Sequence, residues 1–142
     1  MPNPAPGAQR RLWRLDPRYL AAALVLFLVE VCIALFVHDA WLRPRGGDVL
    51  VVIFLYALVR GFRDLPVVPT ALGVLAFSFA VEFLQYLHFV DRLGLGRSRV
   101  ARVVLGSSFE WLDLLCYTLG IVVVLLYEWK RQAPRQQSLP SV

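Results

Sequence analysis

Four acids stand inside stretches of the chain that are otherwise apolar: Glu30, Asp48, Glu82 and Asp113. Carboxyl groups in such surroundings bind donors such as ammonium or hydroxyl groups, carry protons, or act as general acids and bases. Their spacing recruits partners. Gln85 and Tyr86 follow Glu82 by three and four residues, and Tyr117 follows Asp113 by four. Gly120 continues the Asp113 row, and Asp48, Val52 and Tyr56 make another. On a helix each row shares one face, and each phenol adds a donor. Basic partners lie nearby in sequence. Arg43 suits a pair with Asp48 or with a phosphate. Arg97, Arg99 and Arg102 precede Asp113 and read either as a substrate clamp or as a loop facing lipid head groups. The plainer alternative for the acids is a polar network that glues a helix bundle together.

Other reactive types carry less. His38 and His88 are two isolated histidines and read as interfacial residues, so no metal site is assigned. Cys32 and Cys116 have no paired spacing and read as small apolar residues. Ser107 and Ser108 suit helix capping, and no base is spaced to activate them. No cofactor is implied, and the reading leans away from an enzyme.

The elements that must hold these residues follow from composition. The chain has 142 residues, of which 58% are hydrophobic and 18% charged, with a mean hydropathy of +0.62. Too little polar surface remains to cover a soluble core, and disorder is excluded for the body of the chain. The net charge is +5, yet the arginines lie in short segments between apolar runs. That pattern marks membrane flanks, not a nucleic-acid surface. The reading is an all-α, polytopic transmembrane helical bundle. Residues 1–18 form a basic, Pro-rich leader. Residues 19–129 form a membrane domain with spans at about 19–37, 47–62, 67–89 and 109–129. Residues 130–142 form a polar disordered tail. The segment 90–108 is read as a loop holding a short interfacial helix.

The second span is the weakest. Its uninterrupted apolar run covers residues 49–59, about 17 Å of helix. Spanning requires Gly47 and Asp48 to sit below the head groups and Arg60 to snorkel. A re-entrant hairpin is the rival, and it moves the C-terminus to the other side. Pro44, Gly46 and Gly47 are expected to break the helix before it. Gly73 and Ser78 are expected to let helices pack closely.

Four spans place the leader, the second loop and the tail on one side, with nine bases against six. Both termini are then cytoplasmic. Glu30 and Glu82 lie about 10 Å below the opposite interface and Asp113 about 6 Å below it. Asp48 sits at the mouth of its helix. All four acids share one leaflet, and no comparable residue is expected in the other.

The segments Arg43-Pro44-Arg45-Gly46-Gly47-Asp48, Glu82-Phe83-Leu84-Gln85 and Leu105 through Asp113 to Tyr117 and Gly120 carry a resemblance. Together they resemble the small bacterial membrane family DUF2809, over about residues 19–127. Glu30 matches an acid in that family's first helix. More distantly, Glu82 and Gln85 followed by Asp113, Tyr117 and Gly120 are similar to VanZ-like proteins, which usually carry Asn at the Tyr117 position. That similarity implies a link to the cell envelope, since VanZ is associated with resistance to a glycopeptide antibiotic. The DUF2809 resemblance implies a bacterial inner membrane and no established activity.

Three functional expectations follow. The first is a module binding a polar lipid head group or envelope precursor among Glu30, Arg43, Asp48, Glu82, Gln85, Asp113 and Tyr117. The second is a proton-coupled transporter component. The third is an intramembrane enzyme acting on a lipid-linked substrate. Membrane lipid is the expected partner, with a second copy or another membrane protein as a further candidate.

Overall fold

The computed structural model describes residues 13–88, 92–94, 97–99 and 109–136. Among these, four helices follow one another: α1 (Pro17–Phe36), α2 (Leu42–Phe62), α3 (Val67–Tyr86) and α4 (Trp111–Gln136). Three of them, α1, α3 and α4 through Ala133, are long and apolar enough to cross a membrane. Twenty helical residues span about 30 Å, the thickness of the hydrocarbon layer. The segment expected to hold the interfacial helix lies largely outside the described residues, as do Arg102, Ser107 and Ser108.

Each helix boundary has a local cause. Pro17 opens α1 with φ already set, and the Asp16 carboxylate accepts a 3.0 Å bond from the Arg18 N–H. Asp39 performs the same service for α2. Its Oδ1 accepts from the N–H groups of Trp41 at 2.8 Å and Leu42 at 2.9 Å. These backbone bonds, that from Leu42 foremost, hold the Asp39 carboxyl below its usual pKa. The start at Leu42 corrects an expectation. Pro44, Gly46 and Gly47 do not break the chain; they lie inside α2. Pro44 falls in the first turn, where its missing N–H has no helical partner to lose. α3 stops at Tyr86, three residues short of the expected end, because His88 turns into the left-handed region at φ 51°.

Contacts alternate the helices up and down. At one end, the Asp16 N–H donates to the Gly61 carbonyl at 2.9 Å, and Trp13 pairs with Arg63. At the other end, Glu30 of α1 approaches Gly47 of α2. α2 is the centre of the bundle, packed against α1, α3 and α4, while α3 also packs on α4. Its core residue Val52 is fully buried, beside Tyr56 and Ala57. Tyr19 and Ala23 of α1, Ala71 and Val74 of α3, and Tyr117, Ile121 and Val124 of α4 complete the core.

Close approach is made by glycine, though not at the expected place. A Cβ on Gly120 would lie 2.3 Å from Val52 and 2.7 Å from the Val49 carbonyl oxygen. Gly61 abuts Leu20 in the same way. Gly73 has nothing within 4 Å of a Cβ, so it is not a packing site. Ser78 is buried and bonds back to the Val74 carbonyl at 3.0 Å. The outer faces carry large exposed apolar side chains, among them Phe27 and Leu35 of α1, Phe77 of α3 and Val123 of α4. A patch of this extent belongs against lipid.

Candidate functional site

The acidic residues converge where α2, α3 and α4 meet, close to the end that also holds Glu30. α3 presents Thr70, Ala71, Val74, Ser78 and Glu82 on its buried face, a helical row that carries Glu82 inward. Glu82 is 2% exposed, the largest fully buried side chain beside Val52. Its Oε1 accepts a 2.7 Å bond from the Tyr117 hydroxyl of α4. Its Oε2 is buried with no partner. Gln85, one turn later, is half-buried.

Asp48 and Asp113 bring their carboxyl groups together across α2 and α4, beside Tyr117. Ionised carboxylates have no donor to offer each other. Asp48 Oδ2 is buried without a donor, and so is Glu30 Oε1 at the α1–α2 contact. Glu30 packs at Gly47, where a Cβ would sit 3.4 Å from its Oε2. A Cβ on Gly46, next to Gly47 in the chain, would meet nothing within 4 Å.

The basic partner is Arg45. It is half-buried, pairs with Glu110 at 3.5 Å, and its charge acts on Asp113. Its guanidinium also donates to the Trp41 carbonyl at 2.8 Å and lies 4.7 Å above the Trp41 ring. Arg43 is exposed on the outer side of the same turn, and Arg97 and Arg99 are exposed. The helical register explains the difference. Arg45 stands three residues from Asp48 and shares its face, whereas Arg43 stands five away. Among the described residues, no three His, Cys, Asp or Glu side chains form a metal-holding group. His38 and His88 each bond a nearby main-chain carbonyl, at 2.9 and 3.1 Å.

A family model described as a protein of unknown function, DUF2809, matches residues 37–121. The chain belongs to this family. The match takes in Asp48, Glu82, Gln85, Asp113 and Tyr117 and begins beyond Glu30. No curated protein and no solved structure matches the chain.

The opposite end of this DUF2809 member holds a second buried acid, which overturns the expectation that all such residues share one leaflet. Glu128 of α4 is 3% exposed. Its Oε1 accepts from the Tyr19 hydroxyl, and from the Tyr56 hydroxyl at 3.0 Å. Arg131 donates to Tyr19 at 3.2 Å. Glu128 falls at the end of an apolar run, next to Lys130, where an acid looks like ordinary flank. The legible signal was the row Tyr117, Ile121, Val124 and Glu128, which continues the buried face of α4 without a break.

Proposed function

We propose that this protein spans a bacterial inner membrane four times, with both termini cytoplasmic. On this reading its acidic cluster binds a donor-rich polar head group, carried by a lipid or a lipid-linked envelope precursor. One observation carries the reading. Glu30, Asp48 and Glu82 each keep a carboxyl oxygen buried and without a hydrogen-bond partner toward one end of the bundle. Each such oxygen costs about 1–3 kcal/mol until a donor reaches it. Ammonium and hydroxyl groups supply such donors, and Arg45 beside them suits an accompanying phosphate.

The four-span reading rests on the placement of charge along α2. Arg45 and Asp48 turn into the bundle, Arg60 lies at the far end, and the middle of the helix is core. The nine-to-six distribution of bases supports the orientation. The weak VanZ-like pattern agrees with an envelope-linked ligand. In that pattern an Asn amide would stand where the Tyr117 phenol donates to Glu82.

The test is titration of the purified full-length protein with dioctanoyl phosphatidylethanolamine by calorimetry. Binding is expected, weakened about tenfold by Glu30→Gln, the loss of one charge-assisted bond. Absence of binding by amine- and hydroxyl-bearing head groups alike would overturn the reading. A second reading is favoured by the Asp48–Asp113 pair, since two touching carboxyls can hold one proton between them. It requires pH-driven flux in liposomes that Asp113→Asn abolishes.

A further inference from the structure

The Glu128 end of the bundle holds an open cavity of about 500 Å³. Four arginines line it: Arg14 before α1, Arg18 in its first turn, Arg60 at the end of α2 and Arg131 in α4. The acids around it are already engaged. Asp16 caps α1, Glu128 is clasped by two phenols, and Asp64 lies 3.8 Å from Arg60. The cations are less fully used. Arg14 and Arg18 have no ion pair among the described residues, and Arg60 donates from Nη1 to the Leu65 carbonyl while its Nε is buried with no partner. Arg131 spends one N–H on Tyr19. The guanidiniums of Arg60 and Arg131 are held in place over the Tyr19 ring, 5.1 and 5.5 Å from its centre.

We propose that this cavity is a binding site for a phosphate ester, separate from the acidic cluster and independent of its function. Guanidinium forks match phosphate oxygens two at a time, which a set of lysines would not do. The volume suits a head-group-sized ligand. Four guanidiniums line the cavity against the three carboxylates of Asp16, Asp64 and Glu128, so its lining keeps a positive excess. The level is also right for a phospholipid. Trp13 and Trp129 are 68% and 69% exposed beside it, where interfacial indoles sit. The site lies about 22 Å along α4 from Asp113, too far for one head group to serve both ends. A soluble phosphate ester presents the same chemistry, and the assay separates the two sources.

The experiment is calorimetry on the full-length protein in a neutral maltoside detergent. The probes are dioctanoyl phosphatidylglycerol, inorganic phosphate, and dioctanoylglycerol, which has no phosphate. Phosphatidylglycerol is expected to bind and dioctanoylglycerol not to. The double variant Arg14→Gln with Arg18→Gln should weaken binding about tenfold or more. Both side chains are exposed, so this variant keeps its fold, and an unchanged Tm verifies it. Asp64→Asn should tighten binding, because it removes a negative charge from the cavity lining. Arg92→Gln removes one positive charge at the other end and should change nothing. Equal affinity for inorganic phosphate would assign the site to a soluble ester; preference for the lipid would assign it to a head group. The proposal is overturned if no phosphate probe binds, if binding survives the double variant, or if Arg92→Gln weakens it as much.

Discussion

Among the described residues Tyr117 is the single donor to Glu82, and that makes Tyr117→Phe informative. The variant removes the hydroxyl and leaves both carboxyl oxygens buried without partners. The expected cost is about 1–3 kcal/mol, read as a lower midpoint in detergent unfolding. Glu82→Gln keeps an acceptor for Tyr117 and should cost less. Asp39 makes a pH prediction outside the membrane spans. Its folded pKa lies below the unfolded value because Leu42 and Trp41 donate to the carboxylate. Its contribution is therefore present above about pH 4, the unfolded pKa, and is lost as pH falls through the lower folded value. Asn also accepts such bonds, so Asp39→Asn should match wild type near neutrality and lose less stability on acidification. At this scale the sequence was readable where a polar residue interrupts an apolar run, as Glu82 does. It was less readable for Arg45 and Glu128. Arg43 and Arg45 look alike in a list of flanking bases, and only the register of α2 separates them. Glu128 stands one residue before the expected helix end, close to Lys130 and Arg131, where composition alone does not set it apart.

Helix contacts follow the same logic one level up. α2 carries Arg43, Arg45, Asp48 and Arg60, yet it is the helix on which the others pack. A purely apolar count misses this, because the middle of α2 needs protein contact more than lipid contact. Gly120 sets how closely α4 approaches it. Gly120→Ala places a methyl 2.7 Å from the Val49 carbonyl, a backbone atom that cannot rotate away. The helices must separate, at an expected cost of about 1–3 kcal/mol. Gly73→Ala meets nothing and should be neutral or slightly stabilising, since alanine favours helix. The comparison is read from the two unfolding midpoints. Pro44, Gly46 and Gly47 misled for a physical reason. These residues break helices in their interior, but proline in a first turn loses no bond, and Gly47 lies at the helix contact beside Glu30.

At the scale of the molecule, the bundle carries two buried polar centres of different character. One is acidic, with Glu30, Asp48, Glu82 and Asp113 around a single inward arginine; the other is a tyrosine-clasped Glu128 beneath a basic cavity. If α2 spans, these centres serve opposite membrane faces. A reporter fused to the C-terminus of the full chain should be active only on the cytoplasmic side; activity outside would establish the re-entrant form of α2. Hydropathy was enough to identify the three most apolar helices, whereas the crossing of α2 depends on side-chain register that hydropathy averages away. The central claim is that the acidic cluster holds a particular head group. Mass spectrometry of the lipid that co-purifies with the full-length protein tests this most directly, wild type beside Glu82→Gln. The wild type should be enriched in one amine- or hydroxyl-bearing head-group class relative to the bulk membrane, and the variant should lose about tenfold of that enrichment. A wild-type profile equal to bulk lipid, or an enrichment that Glu82→Gln leaves intact, would contradict it.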